Sequence, residues 1–218
     1  MPVHDYFSEA ELAAVREATR QAEARTAGEL VCVIVERSDS YDDARWRAAT
    51  LGALVGGLVA AYGLYISETW STQTFLWPAL APLLGAAAAW LLAVSSPAIE
   101  RELVGSETMQ RRVHNRAAAA FVSEEVFETR GRTGVLIFLS LFEHRVEILC
   151  DEGIRRHVPA ESWREITMKL AEGIGQGNAG PSLVAAVEAC GELLATEGVE
   201  RADDDRDELA NEPRVLDD

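Results

Sequence analysis

The stretch ELVCVIVE, residues 29–36, decides the fold of this chain. Its apolar run is unbroken and largely β-branched, a pattern typical of a strand that is covered on both faces. Such a strand lies in the middle of an α/β sheet. Two further strands are predicted at VLIFLSLF (135–142) and RVEILC (145–150). Because only Glu143 and His144 separate them, these two strands must be antiparallel.

Amphipathic helices flank the predicted strands. Ser8 and Glu11 form a capping box that opens a helix before the first strand. Residues 99–129 carry apolar side chains at helical spacing, and two more helices follow, one marked by Trp163 and one beginning at Pro181. A helical crossover between the first two strands should make them parallel. We therefore predict an α/β fold with a small mixed sheet.

Two blocks without any charged residue interrupt this pattern, AATLGALVGGLVAAYGLYI (48–66) and TFLWPALAPLLGAAAAWLLAV (74–94). As helices they would be about 28 and 31 Å long, enough to cross a bilayer core of about 30 Å. Neither block keeps the polar stripe of a soluble helix. Pro78 and Pro82 are expected in the first turns of the second helix, where proline costs least. The blocks predict a transmembrane hairpin inserted into the soluble domain.

The charges beside the hairpin predict its orientation. Arg45 and Arg47 precede the first span and Arg101 follows the second, whereas the connecting loop, residues 67–73, holds Glu68 and no Lys or Arg. By the positive-inside rule both termini are cytoplasmic. The chain is thus predicted to be a multi-pass protein of the inner membrane, with the lipid bilayer as its first partner.

Gly52 and Gly56 form a GxxxG motif in the first span. This motif provides a face on which a second helix can approach closely. The sequence leaves two partners open for that face: the protein's own second span, or another copy in a homo-oligomer.

The charge balance excludes one class of function. The chain has 36 Asp and Glu against 20 Lys and Arg, a net charge of -16, and a nucleic-acid binder needs a basic face. Residues 197–218 hold ten of the acids and three arginines, so they are predicted to form a solvated, poorly packed tail. The predicted organisation is a discontinuous cytoplasmic domain (1–47 and 99–196), a hairpin (48–94) and this tail.

No sequence motif indicates a cofactor. GQGNAG, residues 175–180, matches GxGxxG in letters, but a dinucleotide-binding loop must follow a strand and this one follows a helix. The three cysteines, Cys32, Cys150 and Cys190, are far apart and set among apolar residues. They are expected to be buried free thiols rather than metal ligands.

Two stretches resemble a known family. TAGELVCVIVERSDSY (26–41) and TRGRTGVLIFLSLFEHRVEILCDEGI (129–154) are similar to the TPM domain of thylakoid, photosystem II repair and nematode receptor-modulator proteins. The inserted hairpin and the ending DELANEPRVL resemble the bacterial membrane branch of that family. The resemblance implies a Rossmann-like α/β sandwich, with acid phosphatase activity claimed for a plant member and assembly or repair roles for others.

Strand directions bring several polar residues to one edge of the predicted sheet. The first two strands begin there and the third ends there, because it is antiparallel. An arginine facing carboxylates and hydroxyls either holds a phosphate together with a metal or forms a structural ion-pair network. The residues of this candidate edge are Thr26, Glu29, Arg132, Thr133, Asp151 and Glu152.

A second cluster follows the first strand at the opposite edge. Asp39, Asp42 and Asp43 offer oxygen ligands that suit Ca²⁺ or Mg²⁺; the alternative is a solvated acidic loop.

Together these features predict a membrane protein with a TPM-like cytoplasmic domain that acts through contacts with lipid or other proteins, in the maintenance of membrane proteins rather than in catalysis. The alternative is a metal-assisted phosphatase acting on phosphomonoesters. The absence of a recognisable nucleophile in the sequence favours the non-enzymatic role.

Overall fold

The structure, a computed structural model, describes residues 6–66, 72–197, 199 and 208–216. These residues form a mixed α/β fold with eight helices and four strands. The elements in chain order are α1 (Glu9–Glu23), β1 (Glu29–Val35), α2 (Asp42–Ile66), α3 (Thr72–Ser95), α4 (Pro97–Val104), α5 (Ser106–Ser123), β2 (Gly134–Ser140), β3 (Arg145–Cys150), α6 (Glu152–Arg155), α7 (Ser162–Gly175), α8 (Ala179–Thr196) and β4 (Arg214–Leu216).

The four strands form one sheet in the order β3-β2-β1-β4. β1 and β2 run parallel with Glu29 opposite Gly134, and β2 and β3 run antiparallel with Val135 opposite Cys150. Both strand directions predicted from the sequence are confirmed.

β1 is covered on both faces, as its unbroken apolar run predicts. Every residue of β1 is buried. Leu30, Cys32 and Ile34 belong to the apolar core that contains residues of α1, α7 and α8. The residues between and after them, Val31, Val33 and Val35, lie on the opposite face of the sheet and belong to a second core that contains residues of α5. The sheet therefore has helices on both faces.

The capping box is confirmed at the start of α1. The Glu11 carboxylate accepts the backbone N–H of Ser8 at 2.8 Å, and Ser8 Oγ accepts the N–H of Glu11 at 3.3 Å. The Ser8 hydroxyl also donates to the Glu11 carboxylate, at 2.7 Å. The two bonds that Ser8 donates to this carboxylate, from its N–H and its hydroxyl, lower the pKa of Glu11, because they favour the charged form.

The chain divides into two compact units, Met1–Asp39 with Gln110–Asp218, and Ser40–Met109. The second unit contains the hairpin and is longer than the predicted 48–94. α2 begins six residues before the predicted span, and α4 packs against both α2 and α3. Within this unit the buried carboxylate of Glu100 lies 2.9 Å from Arg45 Nε.

Two details of the predicted helices are wrong. A single helix over 99–129 is replaced by α4 and α5, because Gly105 between them adopts φ 80°, a conformation outside the helical region. α3 begins at Thr72, so Pro78 and Pro82 lie inside the helix rather than in its first turns. Each proline removes one backbone hydrogen bond from α3.

The two helices of the hairpin are long and apolar enough to cross a membrane. Each contains an 18-residue window with a mean hydropathy of 1.7, and 11% of that window is buried. The predicted connecting loop lies mostly outside the described residues, which resume at Thr72.

The glycine face of α2 packs against α3. A Cβ at Gly56 would lie 2.2 Å from the carbonyl oxygen of Ala81, and one at Gly52 would be equally close to Gly85. Of the two partners left open by the sequence, the second span of the same chain occupies this face. A homo-oligomer through Gly52 and Gly56 stays a prediction.

The prediction of a poorly packed C-terminal tail is wrong for residues 208–216. Arg214 and Leu216 of β4 pair with Val33 and Val35 of β1 in parallel. Leu209 and Leu216 pack against the core on the α5 side, and Val215 packs on the other side. The prediction rested on the average charge of the tail, which takes no account of these few apolar residues. Residues 198, 200–207 and 217–218 lie outside the described part of the chain.

Candidate functional site

Three strand ends meet at the sheet edge where the polar cluster is predicted. The backbone N–H of Glu29 donates to the carbonyl of Thr133 at 3.2 Å, and the N–H of Asp151 donates to the carbonyl of Gly134 at 2.9 Å. The amino ends of β1 and β2 therefore meet the carboxyl end of β3 at this edge.

Arg132 and Asp151 form an ion pair at the centre of the edge. Arg132 Nε lies 2.8 Å from Asp151 Oδ2; the Asp151 side chain is 4% exposed and the Arg132 side chain 54%. The other carboxylate oxygen, Oδ1, accepts the N–H of Glu152 at 2.7 Å and caps α6. Asp151 therefore caps α6 with Oδ1, while the buried Oδ2 lies beside the Arg132 guanidinium without accepting a hydrogen bond within the described residues.

The backbone around Arg132 is tightly packed and strained. Arg132 adopts φ 55°, the left-handed region, which costs energy in a residue with a Cβ. Its carbonyl accepts the N–H of Gly153 at 2.9 Å. A Cβ at Gly153 would lie 2.5 Å from that oxygen and 2.3 Å from the carbonyl of Gly131. Only glycine allows the two turns to approach this closely.

The remaining predicted residues of the edge have separate partners. The N–H of Thr133 donates to Thr129 Oγ1 at 2.9 Å. Glu152 lies 2.6 Å from Arg156 on the surface, and this hydrogen bond lowers the pKa of Glu152. Thr26 Oγ1 donates to the carbonyl of Val199 at 2.7 Å.

Glu29 is buried and holds the C-terminal segment. Its carboxylate accepts the backbone N–H groups of Glu208 at 3.3 Å and Leu209 at 3.4 Å. Glu208 in turn accepts the N–H of Arg130 at 2.8 Å and lies 3.5 Å from Arg130 Nε. Sequence reasoning missed Glu208 and Arg130, although the apolar residues Leu209, Val215 and Leu216 within the acidic tail were a signal that this segment packs.

These contacts favour a structural reading of the edge. Asp151, Glu152 and Glu29 all accept hydrogen bonds from backbone N–H groups or arginines, which is the pattern of carboxylates that hold turns in place. A phosphate would have to replace Asp151 as the partner of Arg132. The one feature that favours anion binding is the half-exposed guanidinium of Arg132.

The three aspartates after β1 are each paired with an arginine. Asp39 accepts a hydrogen bond from Arg112. In the other unit, Asp42 lies 3.0 Å from Arg45, and Asp43 pairs with Arg47. Asp42 and Asp43 also occupy the first turn of α2, where negative charge is favourable. Among the residues that the structure describes, no group of three His, Cys, Asp or Glu side chains could hold a metal ion.

The GxGxxG match connects α7 and α8, so it does not follow a strand. Gly177 within it adopts φ 78° in the turn. Beside this turn, a groove of about 300 Å³ runs between the two helices, with Ile166, Leu170 and Ala186 among its lining residues.

The cysteines contribute no redox pair or metal site in the described structure. All three are free, Cys32 and Cys190 are buried, and Cys150 is partly buried. Burial raises the pKa of Cys32 and of Cys150 to about 12 and raises that of Cys190 strongly. None of them is a thiolate nucleophile near neutral pH.

Comparisons with known proteins identify the fold but no activity. No family model matches the chain, and no curated protein sequence matches it. The chain is similar to the NMR structure of the BA42 protein from the psychrophilic bacterium Bizionia argentinensis sp. nov., with 20% identity and a TM-score of 0.57. The match covers 96% of this chain and 95% of that one. At this identity the likeness shows a shared mixed α/β fold and nothing about function.

Proposed function

We propose that this chain is an inner-membrane protein in which the α2–α3 hairpin anchors a TPM-like domain at the cytoplasmic face. In this proposal the domain is a Rossmann-like α/β sandwich that acts by binding other membrane proteins or lipid rather than by catalysis. The family assignment rests on the two stretches, 26–41 and 129–154, that resemble the TPM domain.

The observation that carries the membrane proposal is the exposure of apolar side chains along both helices. Leu58 and Tyr62 on α2 and Leu83 on α3 are each about two-thirds exposed. A soluble protein rarely exposes a contiguous apolar patch above a few hundred Å². Contact with lipid tails would remove these apolar side chains from water, which is favourable. The other large apolar residues of the hairpin that are at least half exposed are Leu51, Leu54, Val55, Val59, Tyr65, Ile66, Leu76, Leu84, Leu91 and Leu92.

A non-enzymatic role agrees with the contacts of the polar edge. Each buried carboxylate there holds a backbone turn or an arginine, as an ion-pair network would. Metal-assisted phosphatase activity remains the alternative, supported by the half-exposed Arg132 guanidinium. We expect no phosphomonoester turnover by the purified chain with or without Mg²⁺ or Ca²⁺. Metal-dependent turnover that is abolished in a folded Asp151→Asn variant would replace the proposal by this alternative.

The membrane proposal is tested by cysteine labelling in spheroplasts. The native thiols are buried or partly buried, so they give little background. A membrane-impermeant maleimide should label Ser71→Cys in intact spheroplasts, because the loop between the spans is placed outside. The control Gln176→Cys, at an exposed position in the α7–α8 turn, should be labelled only after lysis. The reverse pattern, or extraction of the chain by alkaline carbonate, would contradict the proposal.

A further inference from the structure

The edge of β1 is closed by a short added strand. β4 contains three residues, and it pairs with the carboxyl-terminal half of β1. When a strand is added to a sheet edge in this way, the main-chain hydrogen bonds provide affinity and the pockets for alternate side chains provide specificity. Here Leu216 enters the core on the α5 side of the sheet, while Val215 packs on the opposite side.

Charged contacts hold both ends of the segment 208–216. At its start, Glu208 binds the backbone N–H and side chain of Arg130, and Glu29 binds the N–H groups of Glu208 and Leu209. Near its end, Arg214 Nε lies 2.7 Å from Glu124, and both side chains are about one-fifth exposed. The receiving surface therefore binds, in chain order, a carboxylate (Glu208), an apolar side chain (Leu209), a cation (Arg214) and two further apolar side chains (Val215 and Leu216).

The connection to this segment is longer than its docked position requires. The carbonyl of Val199 is held by Ala27 and Thr26, and the N–H of Glu208 is held by Glu29. The connection from Val199 to Glu208 has to cover roughly the distance between the residues that hold its two ends, Thr26 and Glu29. These two are three residues apart in the chain, which is at most about 11 Å, whereas nine peptide steps can reach about 30 Å. The segment has enough chain to leave β1 while Val199 stays in place.

We infer that the β1 edge, with Glu29, Arg130 and Glu124 at its ends, is a peptide-binding site that the chain fills with its own residues 208–216. The competing ligand is an extended segment of another protein with the same chemistry. That segment carries a carboxylate at its start, and near its end an arginine followed by two apolar residues whose side chains pack on opposite faces of the sheet. When the segment opens, the uncovered β1 edge presents unpaired backbone groups, which favours capture of another strand.

The chain's own segment 208–216 competes with any peptide from another protein for the β1 edge. A tethered segment acts at an effective concentration in the millimolar range, so a free peptide at micromolar concentration competes poorly. A partner concentrated in the same membrane competes far better. This step alone rests on the proposed membrane function; the binding site itself rests on the contacts above.

The test uses the full chain in detergent and a labelled, end-capped peptide ELANEPRVL, which copies residues 208–216. In the variant Arg214→Glu/Leu216→Asp the chain's own segment is weakened while the β1 edge is unchanged. Fluorescence anisotropy should show the peptide binding this variant at least tenfold more tightly than the unaltered chain. A peptide that carries Leu216→Asp should not bind the variant. Equal or undetectable binding of the native peptide to both folded chains would overturn the inference.

Hydrogen exchange in the unaltered chain gives a second readout that does not depend on the folding of a variant. Amides of 208–216 should exchange through local opening, at least a hundredfold faster than those of β2. Exchange of both segments at one common rate would show that β4 leaves only when the domain unfolds, and would overturn the inference. Since both measurements are made without a bilayer, their failure would leave the labelling test of membrane insertion unaffected.

Discussion

Gly52 of α2 faces the backbone carbonyl of Gly85 of α3 so closely that a Cβ at Gly52 would lie 2.2 Å from that oxygen. The same holds in reverse, since a Cβ at Gly85 would lie 2.2 Å from the carbonyl of Gly52. The two helices of the hairpin therefore meet backbone to backbone at this level, as small-residue interfaces allow.

This contact predicts that Gly52→Ala separates the helices of the hairpin. The added methyl has no space, so we expect a loss of about 1 to 3 kcal/mol, the usual range for overpacking. An SDS titration in mixed micelles measures it. Gly63→Ala is the matched control, because a Cβ there has no neighbour within 4 Å. Equal resistance to SDS in both variants would show that α2 and α3 do not pack as described.

Removal of the Asp151 side chain should destabilise the first compact unit, Met1–Asp39 with Gln110–Asp218. Asp151→Ala loses the cap of α6 and the partner of Arg132. We expect a loss of about 1 to 3 kcal/mol, the common range for a broken cap or polar network. Asp151→Asn keeps a capping oxygen, so its loss should be smaller. Denaturant unfolding measures both, and a larger loss in the Asn variant would contradict the capping role.

The buried thiols predict a decline in stability at alkaline pH. In the folded chain the pKa of Cys32 and Cys150 is about 12, whereas the ordinary value is 9.0. Above about pH 9 the unfolded chain loses thiol protons that the native chain retains, so the free energy of unfolding falls as pH rises. Below about pH 9 these groups contribute no pH dependence.

Thermal unfolding between pH 8 and 11 measures this decline. The matched control carries Cys32→Val, Cys150→Val and Cys190→Ala, which keep the sites apolar. Its stability should fall less steeply above pH 9 than that of the parent chain. Parallel curves would show that the thiols ionise freely in the native state.

Excision of Ser40–Met109, the second compact unit, should leave a soluble domain. The residues beside the cut are already close, because Arg112 donates a hydrogen bond to the carboxylate of Asp39. A short Gly/Ser linker can therefore join residues 39 and 110. We expect cooperative thermal unfolding and a monomer by light scattering. An aggregated or molten product would show that the hairpin belongs to the core of the domain.

Local and nearest-neighbour patterns allowed much of the fold to be predicted. The unbroken apolar run of β1 predicted burial on both faces, and the short gap between the two strands predicted at 135–142 and 145–150 required an antiparallel pair. Those two directions were enough to place Glu29, Arg132 and Asp151 at one edge. Such features depend on hydrophobic periodicity and chain length, both of which can be read from sequence.

Tertiary structure decided what those residues do. The pairing of Arg132 with Asp151, and the cap that Asp151 provides, depend on turns whose backbone angles a periodic pattern does not encode. β4 could not be predicted from the sequence, because its three residues form a strand only by pairing with β1. The high average charge of the segment instead predicted a solvent-exposed tail. The choice of α3 as the partner of Gly52 was also open in the sequence, since a glycine face specifies a close helix but not which one. Pairings between distant segments are selected by the total free energy of the packed chain, and no local pattern contains that sum.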